Sequence, residues 1–147
     1  MTRQQKTVAK IIEVKEFNTE QLEAEVKKAR ARLNIEEEKL AGLEREYLHT
    51  CDDFSYRQTE GTLPVQEMDL FYSYLKHLTK QIGHQKCVVS IHIAELEQKQ
   101  EAMVTAYKEQ RLFEILQDKM HQVQAREAMK KEQKEADYQF LTRKAKE

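Results

Sequence analysis

Five histidines, two cysteines and a dense population of carboxylates are the side chains here with the means to do chemistry. His49, His77, His84, His92 and His121 never fall four apart, so no helix face offers two imidazoles to one metal ion. Their expected place is a solvated helix surface. Cys51 and Cys87 show neither CxxC nor CxxH spacing, and two thiols are too few for a disulfide framework, so both are expected as reduced structural residues. Carboxylates cluster at Glu36-Glu37-Glu38 and Asp52-Asp53. General acid-base work, however, also needs a pocket that excludes water and moves a pKa. There is no phosphate-cradling GxxxxGK sequence, no HExxH and no GxSxG, and the glycines stand apart at Gly42, Gly61 and Gly83. The sequence therefore reads as non-enzymatic, with no catalytic residues, no metal and no cofactor.

The elements that carry these residues follow from composition. Three glycines and one proline in 147 residues are too few to build the turns of a sheet protein. Charged residues make up 35% and hydrophobic ones 39%, so little of the chain can line a thick core, and a long, thin helical body remains. The net charge of −1 comes from interleaved charges of both signs, and the mean hydropathy is −0.84. The basic run Lys27-Lys28-Ala29-Arg30-Ala31-Arg32 is flanked by acidic residues on both sides, as on a solvated coiled-coil face. Nucleic acid is not an expected partner. No apolar run approaches the roughly 20 residues of a membrane span, and the amino terminus lacks the apolar stretch of a signal peptide. A cytoplasmic protein without direct membrane insertion is expected.

The one cluster of chain breakers is residues 59–64, where Gly61 suits a helix C-cap and Pro64 the first position of the next helix. Before it, Leu22, Val26, Ala29, Leu33, Glu36, Leu40, Leu43, Tyr47, Thr50 and Phe54 alternate steps of four and three, the rhythm of a coiled-coil seam. The same register runs back through Thr19, Lys15, Ile12 and Val8. After it, Met68, Phe71, Leu75, Leu78 and Ile82 keep the spacing. Gln85 then breaks the apolar pattern, and Val89, Ile93, Leu96, Met103, Tyr107, Leu112, Leu116, Met120 and Val123 continue in a shifted phase. Such a shift unwinds a supercoil locally. The expected fold is all-α: a single coiled-coil domain over 1–147, with helix at about 3–58, a turn at about 59–63 and helix at about 64–143. Folded about residue 62, Val8 falls opposite about residue 116, which leaves an overhanging C-terminal helix end of roughly 30 Å at 1.5 Å per residue. The fold also brings Glu36 level with Gln85.

Six of the eleven aromatics, Tyr47, Phe54, Tyr56, Phe71, Tyr72 and Tyr74, crowd the bend. They read either as local core closing the tip or as a docking patch, since Tyr is enriched in interface hot spots. The overhang carries Ala125, Ala128, Met129 and Ala136, then Tyr138, Phe140 and Leu141. It reads either as a solvated tail or as a helix that enters a partner's cavity.

The opening KIIEVKEF, the long seam, the tip segment MDLFYSYLKHLTKQIGHQ (residues 68–85) and the ending KEQKEAD (residues 131–137) resemble the FliJ family of flagellar type III export proteins. The likeness spans nearly the whole chain. It departs at Tyr138, where an acidic residue often follows the Asp. The resemblance implies a cytoplasmic stalk, held peripherally at the membrane by the export apparatus and inserted by its terminal end into the hexameric export ATPase. It also implies contact with the cytoplasmic domain of the export-gate membrane protein and with export chaperones. The family's gate-binding positions would fall on Tyr74, Leu78 and Gln81, with Tyr72 beside them. In register, Tyr74 and Gln81 flank the seam and Leu78 lies in it. For the ATPase ring, Met129, Tyr138, Phe140 and Leu141 are expected to supply contact area, and Arg126, Lys130, Lys131 and Lys134 to meet acidic residues. The injectisome YscO group shares this architecture. A clamp-like holdase and a plain coiled-coil scaffold are the rival classes.

Overall fold

The computed structural model describes residues 2–146. Two helices, α1 (Arg3–Thr59) and α2 (Val65–Lys146), account for nearly all of them, and no strand occurs among the described residues. By contacts the chain divides into two compact units, Leu22–Met103 and the pair Met1–Gln21 with Val104–Glu147.

In the unit Leu22–Met103, α1 ends where Gly61 takes a left-handed φ of 68°, a conformation that costs any residue with a Cβ. The Gly61 amide donates to Gln58 O at 3.2 Å, which satisfies one of the carbonyls left open by the helix end. Pro64 sits just ahead of α2 rather than at its first position, and its carbonyl accepts from the amides of Glu67 and Met68, both at 3.1 Å. Across the bend the helices run antiparallel: Arg57 pairs with Glu67, Glu46 with Tyr74, Glu36 with Gln85 and Glu25 with Lys99. Gln85 Nε2 donates both to the Glu36 carboxylate at 2.6 Å and to the Glu36 carbonyl at 3.0 Å. That polar pair occupies one layer of the seam, as its spacing predicts.

The α1 seam is the one read from the sequence, with Val26, Ala29, Leu33 and Thr50 buried. The α2 seam differs. No phase shift occurs at Gln85. Steps of three and four continue through Val89, His92, Leu96, Lys99 and Met103, all buried or half-buried. Ile93, assigned to the seam by its apolar side chain, is 40% exposed. The physical reason is that α2 must stay in phase with an unbroken α1. Long polar residues fill a seam position by burying their stems and aiming their heads at the partner helix. Lys99 does so by reaching Glu25 at 3.0 Å.

In the other unit the same rule holds. α1 contributes Gln5, Val8, Ile12, Lys15 and Thr19, and α2 contributes Ala106, Gln110, Phe113, Gln117 and Met120. Tyr107, Leu112, Leu116 and Val123, expected in the seam, are exposed. The Thr19 hydroxyl donates to Gln110 Oε1 at 2.9 Å, and Lys15 pairs with Glu109 at 2.9 Å while lying over the Phe113 ring. Thr2 and Gln5 form a reciprocal capping box: the Gln5 amide donates to Thr2 Oγ1 and the Thr2 amide to Gln5 Oε1. Gln5 Nε2 also donates to Gln124 Oε1 at 2.7 Å. That pairing lies several residues beyond the one a bend at residue 62 implies, which set Val8 opposite about residue 116. Beyond Gln124, every described residue of α2 is exposed.

Candidate functional site

Two surfaces gather the residues singled out in the sequence, one in each unit. Near the bend, Tyr74, Leu78 and Gln81 follow steps of four and three and so lie along one stripe of α2. Leu78 is 1% exposed and forms the most enclosed point of the seam. Tyr74 and Gln81 flank it on one side and face solvent. The Tyr74 hydroxyl donates to the Glu46 carboxylate across the hairpin. Because that bond needs the phenolic proton, it raises the Tyr74 pKa above the ordinary tyrosine value. Gln81 opens onto a groove of about 340 Å³ shared with Leu43, His77, Lys80, His84 and Gln85.

Tyr72 is two residues from Tyr74 and therefore on the opposite flank. Its ring lies 5.4 Å from that of Phe54, which meets Phe71 edge-on at 5.3 Å. Arg57 closes the end of this cluster, 5.7 Å over Phe71, with Asp53 at 3.7 Å and Glu67 at 3.6 Å. The bend aromatics thus divide. Tyr47, Phe54 and Phe71 are half-buried, whereas Tyr56, Tyr72 and Tyr74 are exposed. Glu46 and Arg57 escaped sequence reasoning. Only Glu46 had a usable signal, its flanking position on α1 facing the flank that carries Tyr74.

The second surface is the α2 segment 125–146. Met129, Tyr138, Phe140 and Leu141 are 64–72% exposed, and Arg126, Lys130, Lys131 and Lys134 are exposed among them. At 100° per residue, Met129 and Phe140 share one side, while Tyr138 and Leu141 share the opposite side with Lys130, Lys131 and Lys134. The helix therefore presents apolar side chains on opposite sides, and among the described residues none of them has an intramolecular partner except Phe140, which Lys144 overlies at 5.8 Å.

Residues 4–143 match the family model described as Flagellar FliJ protein. The chain belongs to the FliJ family. Membership gives this FliJ-family chain a role in flagellar protein export, and both candidate surfaces fall inside the matched residues apart from the last few. No curated protein and no solved structure matches it. Among the described residues, no helix is long and apolar enough to cross a membrane, and no group of three or more His, Cys, Asp or Glu is placed to hold a metal ion. Cys51 and Cys87 are both free thiols.

Proposed function

We propose that the chain is the cytoplasmic stalk of the flagellar export ATPase, inserted through residues 125–146 into the hexameric ring and reaching the export gate through the tip. It works at the membrane surface through the export apparatus and catalyses nothing itself, since the ATPase holds the chemistry. The observation that carries this reading is the segment beyond Gln124, a single exposed helix with apolar residues on opposite sides and lysines along one of them. A flat docking surface would use one side of such a helix. An enclosing ring uses all of it, with Met129, Tyr138, Phe140 and Leu141 supplying contact area and Arg126, Lys130, Lys131 and Lys134 steering it toward acidic walls.

At the bend, Tyr74 and Gln81 supply the contact with the cytoplasmic domain of the gate protein, and Leu78 acts from beneath by fixing the helix spacing. Tyr72, on the opposite flank, extends the contact around the tip. Empty export chaperones are the remaining partners in this reading. Service in an injectisome instead would leave the two surfaces with the same roles and change only which ATPase binds. A holdase or a plain scaffold would have no use for an unpartnered, apolar-studded helix end. The test is co-sedimentation with the export ATPase. Substituting Phe140 and Leu141 together by Ser should abolish the complex, while the same exchange at Tyr56 and Tyr72 should leave it intact. Retained binding by the Phe140/Leu141 variant overturns the reading.

A further inference from the structure

Between Gly83 and Ala94, α2 is apolar on more sides than the hairpin can cover. Val89 is buried in the seam, yet Cys87, Ile91 and Ala94, spaced by four and three, form a continuous stripe on the outer face. Ile91 is 61% exposed and Cys87 is an exposed free thiol. An apolar stripe on the side of the helix away from the seam has no cover within the hairpin and marks an interaction surface.

What covers this stripe is written in the charges that flank it. From residue 76 to 86 the helix carries Lys76, Lys80 and Lys86 and no acidic residue. From 95 to 101 it carries Glu95, Glu97 and Glu101, and the one lysine there, Lys99, is occupied by Glu25 across the seam. A basic half, an apolar centre and an acidic half make a surface complementary to itself when reversed. We propose that the outer face of α2 around Ile91 is a two-fold interface between two copies of this chain, paired antiparallel about a point between Ser90 and Ile91. In that arrangement each Cys87 lies level with the partner copy's Ala94, and each Lys80 with the partner copy's Glu101. All four residues sit on the same line of the helix, seven apart in each pair of neighbours. Ile91 packs against its own symmetry mate, and the small side chains of Gly83, Cys87, Ser90 and Ala94 let the two helices approach closely. The interface is isologous, so it closes at two copies and forms no filament. Its area is that of one helix face, so the dimer is weak and set by concentration. The bend aromatics and residues 125–146 lie outside it.

The test is sedimentation equilibrium of the full chain from about 10 µM to about 1 mM, a range that spans weak association. A monomer–dimer equilibrium is expected. Ile91→Glu should raise the dimer dissociation constant more than about a hundredfold by placing two like charges at the centre. Lys80→Glu and Glu101→Lys should each raise it about tenfold, and the double exchange should restore it, because only a pair across the interface is repaired by swapping its signs. Ala94→Cys should give a covalent dimer under mild oxidation through the native Cys87 of the other copy. Wild type should not, since antiparallel Cys87 residues are seven positions apart, about 10 Å along the axis and beyond disulfide reach. Circular dichroism checks that each variant keeps its helices, as expected for exposed positions. A chain that stays monomeric throughout overturns the proposal, as does a dimer whose charge-swapped form is not restored. A monomer that needs Ile91 to bind the export ATPase or gate would overturn it too, by assigning the face to another protein.

Discussion

Leu78 and Leu112 pose the same chemical question at two positions that the apolar pattern alone treats alike. Leu78→Ala removes side-chain carbon equivalent to three methylenes from a site that is 1% exposed. At about 0.8 kcal/mol per methylene the transfer loss is about 2.4 kcal/mol. The cavity left behind adds to this, but a layer only two helices thick lets its neighbours and water close in, so the total should be about 3 kcal/mol, in the lower half of the range for buried leucine truncations. Leu112 is 67% exposed, so only about a third of that transfer loss applies, and alanine's better helix propensity returns a further 0.2 kcal/mol or so. Leu112→Ala should cost about 0.6 kcal/mol. Urea unfolding followed by far-ultraviolet ellipticity measures both. The difference between two identical substitutions is more secure than either value, because the unfolded chains are nearly equivalent. A loss of 2 kcal/mol or more at Leu112 would refute the uninterrupted register and restore the phase shift at Gln85.

Three further outcomes are expected. The Glu36 carboxyl is held below its ordinary pKa chiefly by the Gln85 amide, so the stability it contributes is present above the usual carboxylate range and lost as pH falls through the lowered value. Thermal midpoints of wild type and Glu36→Gln should therefore converge on acidification, and a gap that widens toward acid would contradict the pairing. Gly61→Ala meets open space but forces a left-handed residue with a Cβ, which should cost about 1 kcal/mol in the same urea assay, while a neutral result would mean the bend can be made another way. Tyr74→Ala should weaken gate-protein binding about tenfold in a calorimetric titration with helicity unchanged, since the ring is at the surface, whereas unaltered affinity would remove Tyr74 from the contact.

The sequence made some features plain and hid others for definite reasons. Gly61 and Pro64 were the only breakers in one place, so the bend had nowhere else to go. The α1 seam was legible because its occupants are mostly apolar, and Glu36 and Gln85 were legible as the polar members of two otherwise apolar stripes, although counting from a bend at residue 62 sets Glu36 opposite about residue 88. In α2 after Gln85, apolar character and phase part company. His92, Lys99, Gln110 and Gln117 hold the register, and the neighbouring Ile93, Tyr107, Leu112 and Leu116 drew the pattern off by one position. The Thr2-Gln5 capping box has a signature legible in the sequence, and with Gln124 it fixes how far α1 reaches. At the candidate sites, register separated buried Leu78 from exposed Tyr74. It could not show that the Tyr74 hydroxyl is tied to Glu46, because a flanking position narrows a partner to several residues.

Removing residues 125–147 addresses the stalk most directly. Gln124 stays, because Gln5 bonds to it, and everything removed among the described residues is exposed, so the thermal midpoint should hold within a degree or two. The truncated chain and the intact one are then compared for stimulation of the export ATPase at equal concentration. The truncated chain, still helical and equally stable, should stimulate no more than buffer. Full stimulation by the truncated chain would contradict insertion through this segment.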